Sequence, residues 1–227
     1  MKKGNEILKK YDDWLPESKL EDAPSKFNTY EKSREEDHQI SPGGILVTSV
    51  SKKVPLLKVL RDSANKFGEE ILICGGDINP DSIGRYFCDM FWQMPSFSSL
   101  RIEDVIDYCK KQGINKIIPT RDGELLFFAQ GKEMLRKNGI SVMVSEPQVV
   151  ETCLDKFKFF ERLTELGYPV ILTSMDGEKI SNDYYVVKER FGAGSRSMGL
   201  RLSRKEAIKH AESLQQPIFQ PFIEGFE

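Results

Sequence analysis

The residues most able to do chemistry lie between Lys188 and Gly199, in the run Lys-Glu-Arg-Phe-Gly-Ala-Gly-Ser-Arg-Ser-Met-Gly. A lysine delivered by an apolar strand just before glycines suits anionic oxygens, because glycine frees backbone N–H groups to point into a concave loop. Phosphate is the natural guest. Two common phosphate signatures do not fit. There is no G-x-x-x-x-G-K-[ST], and Gly192-Ala-Gly194 leads into a strand, Gly199–Leu202, where a dinucleotide fingerprint needs a helix. Strand, glycine loop and return strand together describe a hairpin flap with Ser195 and Arg196 at its tip. A plain surface hairpin would use the same turn glycines and leave the lysine exposed.

Two further segments flank this loop. Upstream, Asp155-Lys156 opens the helical stretch Phe157-Lys-Phe-Phe-Glu-Arg-Leu-Thr-Glu-Leu, stopped by Gly167-Tyr-Pro169. Taken alone, Asp155 reads as a helix cap, and Phe157, Phe160 and Leu163 as a core face. Downstream, Phe219-Gln-Pro-Phe-Ile-Glu-Gly-Phe-Glu227 reads alone as an edge strand and turn.

In this order the three segments resemble the ATP-grasp superfamily, in particular its carbamoyl-phosphate-synthase-like members. The resemblance continues upstream, where Asp77-Ile-Asn-Pro-Asp-Ser82 and Ile118-Pro-Thr-Arg-Asp-Gly-Glu-Leu125 look like the pre-ATP-grasp domain of those proteins, so it covers about residues 45 to 227. It implies that Lys156 and Lys188 contact nucleotide phosphates, with Lys188 also near the adenine edge. The loop Gly192, Ala193, Gly194, Ser195, Arg196 to Gly199 would be the flap over the β- and γ-phosphates. Gln220, Pro221, Phe222 and Ile223 would be the hinge that pairs with adenine, and Glu227 the carboxylate holding the ribose hydroxyls. The implied cofactors are ATP and Mg²⁺, and the implied reaction converts a carboxylate or bicarbonate-like substrate to an acylphosphate that an amine or ammonia attacks. The resemblance places the acidic and asparagine magnesium ligands beyond Glu227. The chain is therefore expected to be a fragment or one half of a split protein, with poor activity alone and a C-terminal half or a second copy as partner. Asp77, Arg121, Asp122 and Glu124 are candidates for an acceptor pocket, and each reads equally well as a turn residue or cap.

These groups have to be positioned by an α/β scaffold. Residues 1–44 are charged and irregular, with Ile7, Leu8, Tyr11, Trp14 and Leu15 spaced for a short docking helix. After Gly44 apolar strands alternate with helices: Ile45–Thr48, Pro55–Phe67, Glu70–Cys74, Met90–Trp92, Ile102–Gln112, Asn115–Pro119, Glu124–Asn138 and Ile140–Val144. That alternation predicts an open, Rossmann-like parallel sheet covered on both faces over residues 45–150. Residues 151–227, with helix Lys156–Leu166, strands Tyr184–Lys188 and Gly199–Leu202, helix Arg204–Leu214 and extended Pro217–Ile223, predict an incomplete α+β ATP-grasp domain.

Composition narrows the partners. With 33 basic and 35 acidic side chains and a net charge of -2, no chain-wide field favours nucleic acid or an anionic membrane. No apolar run reaches the roughly 20 residues of a membrane span, and the N-terminus lacks a signal-peptide core. The four cysteines form no C-x-x-C pair, which speaks against a zinc knuckle and for a reducing cytoplasm. His38 and His210 have no partner at metal-ligand spacing and are expected to be solvent-exposed, so a metal hydrolase is disfavoured. A dehydrogenase is disfavoured too, since Thr48-Ser-Val-Ser-Lys-Lys53 replaces G-x-G-x-x-G after the first strand. The alternative to a ligase is a nucleotide-binding or regulatory module without turnover.

Overall fold

The computed structural model describes residues 43–66, 71–195 and 197–225. The expected docking helix around Trp14, His38, Arg196 and Glu227 lie outside the described residues. Among the described residues eight strands and six α-helices follow one another: β1 (Gly44–Thr48), α1 (Val54–Lys66), β2 (Ile73–Asp77), β3 (Met90–Gln93), α2 (Ile102–Gln112), β4 (Ile114–Ile118), α3 (Asp122–Lys137), β5 (Ser141–Val142), α4 (Pro147–Leu154), α5 (Lys156–Glu165), β6 (Tyr185–Glu189), β7 (Gly199–Leu202), α6 (Arg204–Ala211) and β8 (Pro217–Pro221).

The first five strands form one parallel sheet in the order β3-β2-β1-β4-β5. Side chains alternate across its pleat, so neighbouring residues of β1 enter different cores. Leu46 packs with Val105, Ile106, Cys109, Phe128 and Leu135 from α2 and α3. Val47 packs with Val50 and Leu57 on the α1 side. The sheet is covered on both faces, as its run of strands and helices predicts. The remaining strands form a small antiparallel sheet, β7-β6-β8, closed by α6 over a core of Tyr185, Val187, Ala207 and Phe219. Both sheets belong to one compact unit, Pro42–Glu227.

Strand β2 departs from the sequence expectation. It runs three residues later than Glu70–Cys74, so Gly75 and Gly76 lie inside the strand. The reason is space: a Cβ on Gly75 would stand 2.8 Å from Cys88 Sγ, and one on Gly76 would stand 2.6 Å from Met94 Sδ. The glycines let the connection to β3 close over the strand. Helix α4, begun by Pro147 at its first turn, has no counterpart in the sequence reading.

At the carboxyl ends of these strands two acids fasten the loop after β1. Glu124, fully buried, accepts hydrogen bonds from Thr48 Oγ1 at 2.6 Å, Ser49 Oγ at 2.7 Å, Thr120 N at 2.6 Å and Arg121 N at 3.1 Å. Asp77 accepts from Ser51 N and Oγ, each at 2.8 Å, and from Asn79 N. Ser49 is held at φ 53°, a left-handed conformation rare outside glycine. Both carboxylates are thus occupied in holding the loop. Removing four acceptor contacts from a buried site strands their donors. Glu124→Ala is expected to lower the unfolding free energy by about 3 kcal/mol, measured by urea denaturation.

Candidate nucleotide site

The site grows from the junction between α5 and the end of β6. Asp155, only 2% exposed, caps α5 by accepting from Phe157 N at 3.0 Å and Lys158 N at 3.1 Å. The same carboxylate receives both arms of the Arg190 guanidinium, Nε at 2.7 Å and Nη2 at 2.6 Å. Burial acts to raise the Asp155 pKa, but the Arg190 contacts and the two helix amides outweigh it and hold the carboxyl below its usual range. Arg190 also lies over the rings of Phe157 and Phe191, and its amide bonds Gln216 O at 2.8 Å. One ion pair therefore joins the start of α5, the end of β6 and the approach to β8.

That junction places Lys156 against the glycine loop. Its backbone amide donates to Arg190 O at 3.2 Å, and its Nζ donates to Gly192 O at 2.7 Å and Arg190 O at 3.3 Å. Lys188 lies on β6, half-buried. Burial lowers the pKa of both lysines, and the charge of Lys156 lowers Lys188 further. The two ammonium groups share a cavity of about 440 Å³ with Gly192, Ala193, Gly194, Ser195, Ser197 and Met198. The loop returns through β7, antiparallel to β6, which makes it the hairpin flap read from the sequence. Gly192 and Gly194 have φ of 107° and 74°, and Ser195 and Ser197 also lie in the left-handed region. Backbone of this kind is what forms anion-binding concavities.

On the other side of the lysines lies a second cavity of about 410 Å³, lined by Lys156, Lys188, Phe160, Leu163, Ile171 and Gln220 among others. Gln220 Nε2 donates to Thr173 Oγ1 at 2.8 Å. Of the expected hinge, Gln220 faces this cavity and Pro221 ends β8. The Phe222 amide is taken up by Tyr184 O at 2.9 Å, and Ile223 is 62% exposed. Phe160 and Leu163 are half-buried on this cavity wall, and α5 has no fully buried residue, so the face read as a core face lines a cavity instead.

His210 is not the free surface residue expected. Its Nε2 lies 3.0 Å from Ser197 O, and because a carbonyl only accepts, Nε2 carries the hydrogen. The ring also packs over Gly199, where a Cβ would meet His210 Cδ2 at 2.9 Å. Helix α6 thereby pins the outgoing limb of the flap. Sequence reasoning missed Arg190 and His210, although the Asp155-to-Arg190 pairing was open to a search for a base near the flap lysine.

The chain matches the PylC-like N-terminal domain family over residues 45–143 and the ATP-grasp domain family over residues 153–227. Its residues 153–227 carry an ATP-grasp domain. Solved ATP-grasp structures share the fold. The biotin carboxylase domain of Hydrogenobacter thermophilus 2-oxoglutarate carboxylase, in complex with MgADP, ADP and bicarbonate, superposes with TM-score 0.60 at 16% identity over 80% of this chain and 44% of its own. The N5-carboxyaminoimidazole synthetase of Staphylococcus aureus, complexed with ADP, gives 0.59 at 17% over 80% and 48%. The biotin carboxylase–βγ-ATP complex of Campylobacter jejuni gives 0.58 at 18% over 80% and 45%. The chain spans a little under half the length of these relatives, and no curated protein sequence matches it.

The ion pair supplies the prediction of this section. Breaking a buried pair from one side leaves an uncompensated charge and costs about 3 kcal/mol or more. Asp155→Asn is expected to lose stability of that order at neutral pH. Because the folded-state pKa of Asp155 is depressed, its contribution is complete above the unfolded carboxylate value of about 3.9 and fades as pH falls through the lower folded value. The gap between wild type and Asp155→Asn in urea melts should accordingly stay constant from pH 7 to about pH 5 and close on further acidification.

Proposed function

We propose that this chain forms the ATP-binding part of an ATP-grasp ligase, in which residues 45–150 serve as the pre-ATP-grasp half and residues 151–227 as the start of the nucleotide-binding half. The observation that carries this reading is the pair of partly desolvated lysines between two cavities, one under a glycine flap and one bordered by Gln220. Two like charges held out of water favour a polyanion at the flap side, while the apolar wall of Phe160, Leu163 and Ile171 suits a flat base on the other. Lys188 borders both, which fits a nucleotide laid across it with its phosphates under residues 192–199 and its base near Gln220.

On this reading a substrate carboxylate oxygen attacks the γ-phosphorus and ADP leaves. A nitrogen nucleophile then attacks the acyl carbon and inorganic phosphate leaves. Lys156 Nζ exchanges its flap carbonyls for phosphate oxygens, and the flap amides stabilise charge as it moves during transfer. Among the described residues no group of three or more His, Cys, Asp or Glu is placed to hold a metal ion. The share of the chemistry that the described lysines and amides supply is positioning and charge stabilisation. The four free cysteines agree with a reducing cytoplasm, and no described helix is long and apolar enough to cross a membrane.

Calorimetry with ADP tests the assignment. A hydrogen bond to a charged group contributes about 1.5–3 kcal/mol, so Lys188→Ala is expected to weaken ADP binding by roughly tenfold or more. Wild-type affinity should also fall as pH rises through the lowered lysine pKa values, at a lower pH than an ordinary lysine would dictate, because the deprotonated amines no longer attract phosphate. Equal ADP binding by wild type and Lys188→Ala would remove the proposal.

A further inference from the structure

A cavity of about 860 Å³ lies beside the phosphate site and not within it. Its wall is built by Leu125 and Leu126 of α3, Val144 after β5, and Val149, Val150 and Leu154 of α4. The flap closes one end through Phe191, Gly192 and Ala193, and Lys156 lines both this cleft and the flap-side cavity. Asp122 is the one acid and Lys156 the one base among its lining residues. Its size falls in the range of small-molecule sites, about 300–1,000 Å³, and it opens at the carboxyl end of the parallel sheet, where α/β folds hold their ligands.

We propose that this cleft holds the acid to be activated and that the acid carries an apolar aliphatic or aromatic body, the carboxylate turned toward Lys156 and the flap. The proposal rests on the nucleotide reading given above. A phosphoryl acceptor must bring its carboxylate to the end of the cavity that the flap covers, and the rest of the molecule must lie along the adjoining wall. Bicarbonate or acetate would leave that wall in water. An apolar body would cover Met143 and Val149, which are 69% and 50% exposed, along with Leu126 and Val150. Each methylene so buried should tighten binding about fourfold.

Cys153 provides the reporter, since it is exposed and lines the cleft; because it also lines the 410 Å³ cavity, loss of protection in the Val149 and Met143 variants, whose side chains line only the cleft, is what assigns the protection to the cleft. Burial pushes Cys74 up to about 11 and Cys109 up to about 12 and also raises Cys88, so those thiols react slowly. The full chain would be labelled with a small maleimide and Cys153 followed by peptide mass spectrometry, in the presence of acetate, butyrate, hexanoate or 3-phenylpropionate, with bicarbonate and hexylamine alongside. Half-protecting concentration is expected to fall about fourfold per added methylene, and Val149→Asp and Met143→Asp should each abolish protection by hexanoate. Protection by acetate or bicarbonate equal to that by hexanoate, protection by hexylamine equal to hexanoate, or no protection by any acid would each overturn the apolar-acid assignment. ADP calorimetry on the same samples separates the two readings. Intact ADP binding with a flat acid series sinks only the cleft proposal, whereas absent ADP binding sinks the nucleotide reading whatever the acids do.

Discussion

The arrangement of the site depends on one buried ion pair. Asp155 answers to two elements at once: it terminates the orphan amides at the start of α5, and it fixes both arms of Arg190 at the end of β6. A capped helix start and a strand end cannot move independently when they share a carboxylate. Lys156 is the residue immediately after that cap, and Lys188 stands two residues before that guanidinium. Their proximity is therefore a consequence of the pair and not of any attraction between the lysines themselves, which repel each other. Glu189, between Lys188 and Arg190, accepts from the Gln215 and Gln216 amides and secures the same corner to the start of β8.

From that corner the glycine flap inherits a fixed base. Its incoming limb is held by Lys156 on Arg190 O and Gly192 O, and its outgoing limb by His210 on Ser197 O. Between these two anchors the backbone runs through left-handed conformations that non-glycine residues adopt only under constraint. A loop anchored at both ends but strained in the middle has its amide directions set before a ligand arrives. That is the condition under which backbone dipoles are effective in stabilising moving charge.

Much of this was legible in the chain. The alternation of strands and helices gave the parallel sheet and its two covered faces because a period-2 apolar pattern followed by a period-3.6 pattern has few other solutions. The hairpin flap was legible because glycines separate two short apolar strands. What was hidden follows a physical rule: tertiary spacing overrides local propensity. Gly75 and Gly76 lay beyond the strand read as Glu70–Cys74, yet they sit in the strand because Cys88 and Met94 crowd that face. Phe160 and Leu163 read as core, yet they line a cavity, since helical periodicity reports that a face is covered and not by what. Glu124 read equally as a substrate candidate and as a turn residue or cap, and it is consumed by four internal donors, two of them backbone amides at the start of α3. Arg190 and His210 were missed because their roles exist only across sequence separations of 35 and 13 residues.

The same asymmetry bears on where affinity and selectivity reside. The lysine pair and the flap are costly to keep without an anion, since two partly desolvated cations and strained backbone are held together by interactions made elsewhere. On the proposed reading their free energy is recovered by any ligand rich in negative oxygen, so this corner would distinguish polyanions from neutral molecules and little more. Discrimination among acids must come from a surface whose contacts scale with the shape of the acid. The apolar wall of α3 and α4 is such a surface, and it borders the one charged side chain, Lys156, that is common to both cavities. Charge would then fix where the reacting oxygens sit, and hydrophobic area would decide which molecule brings them.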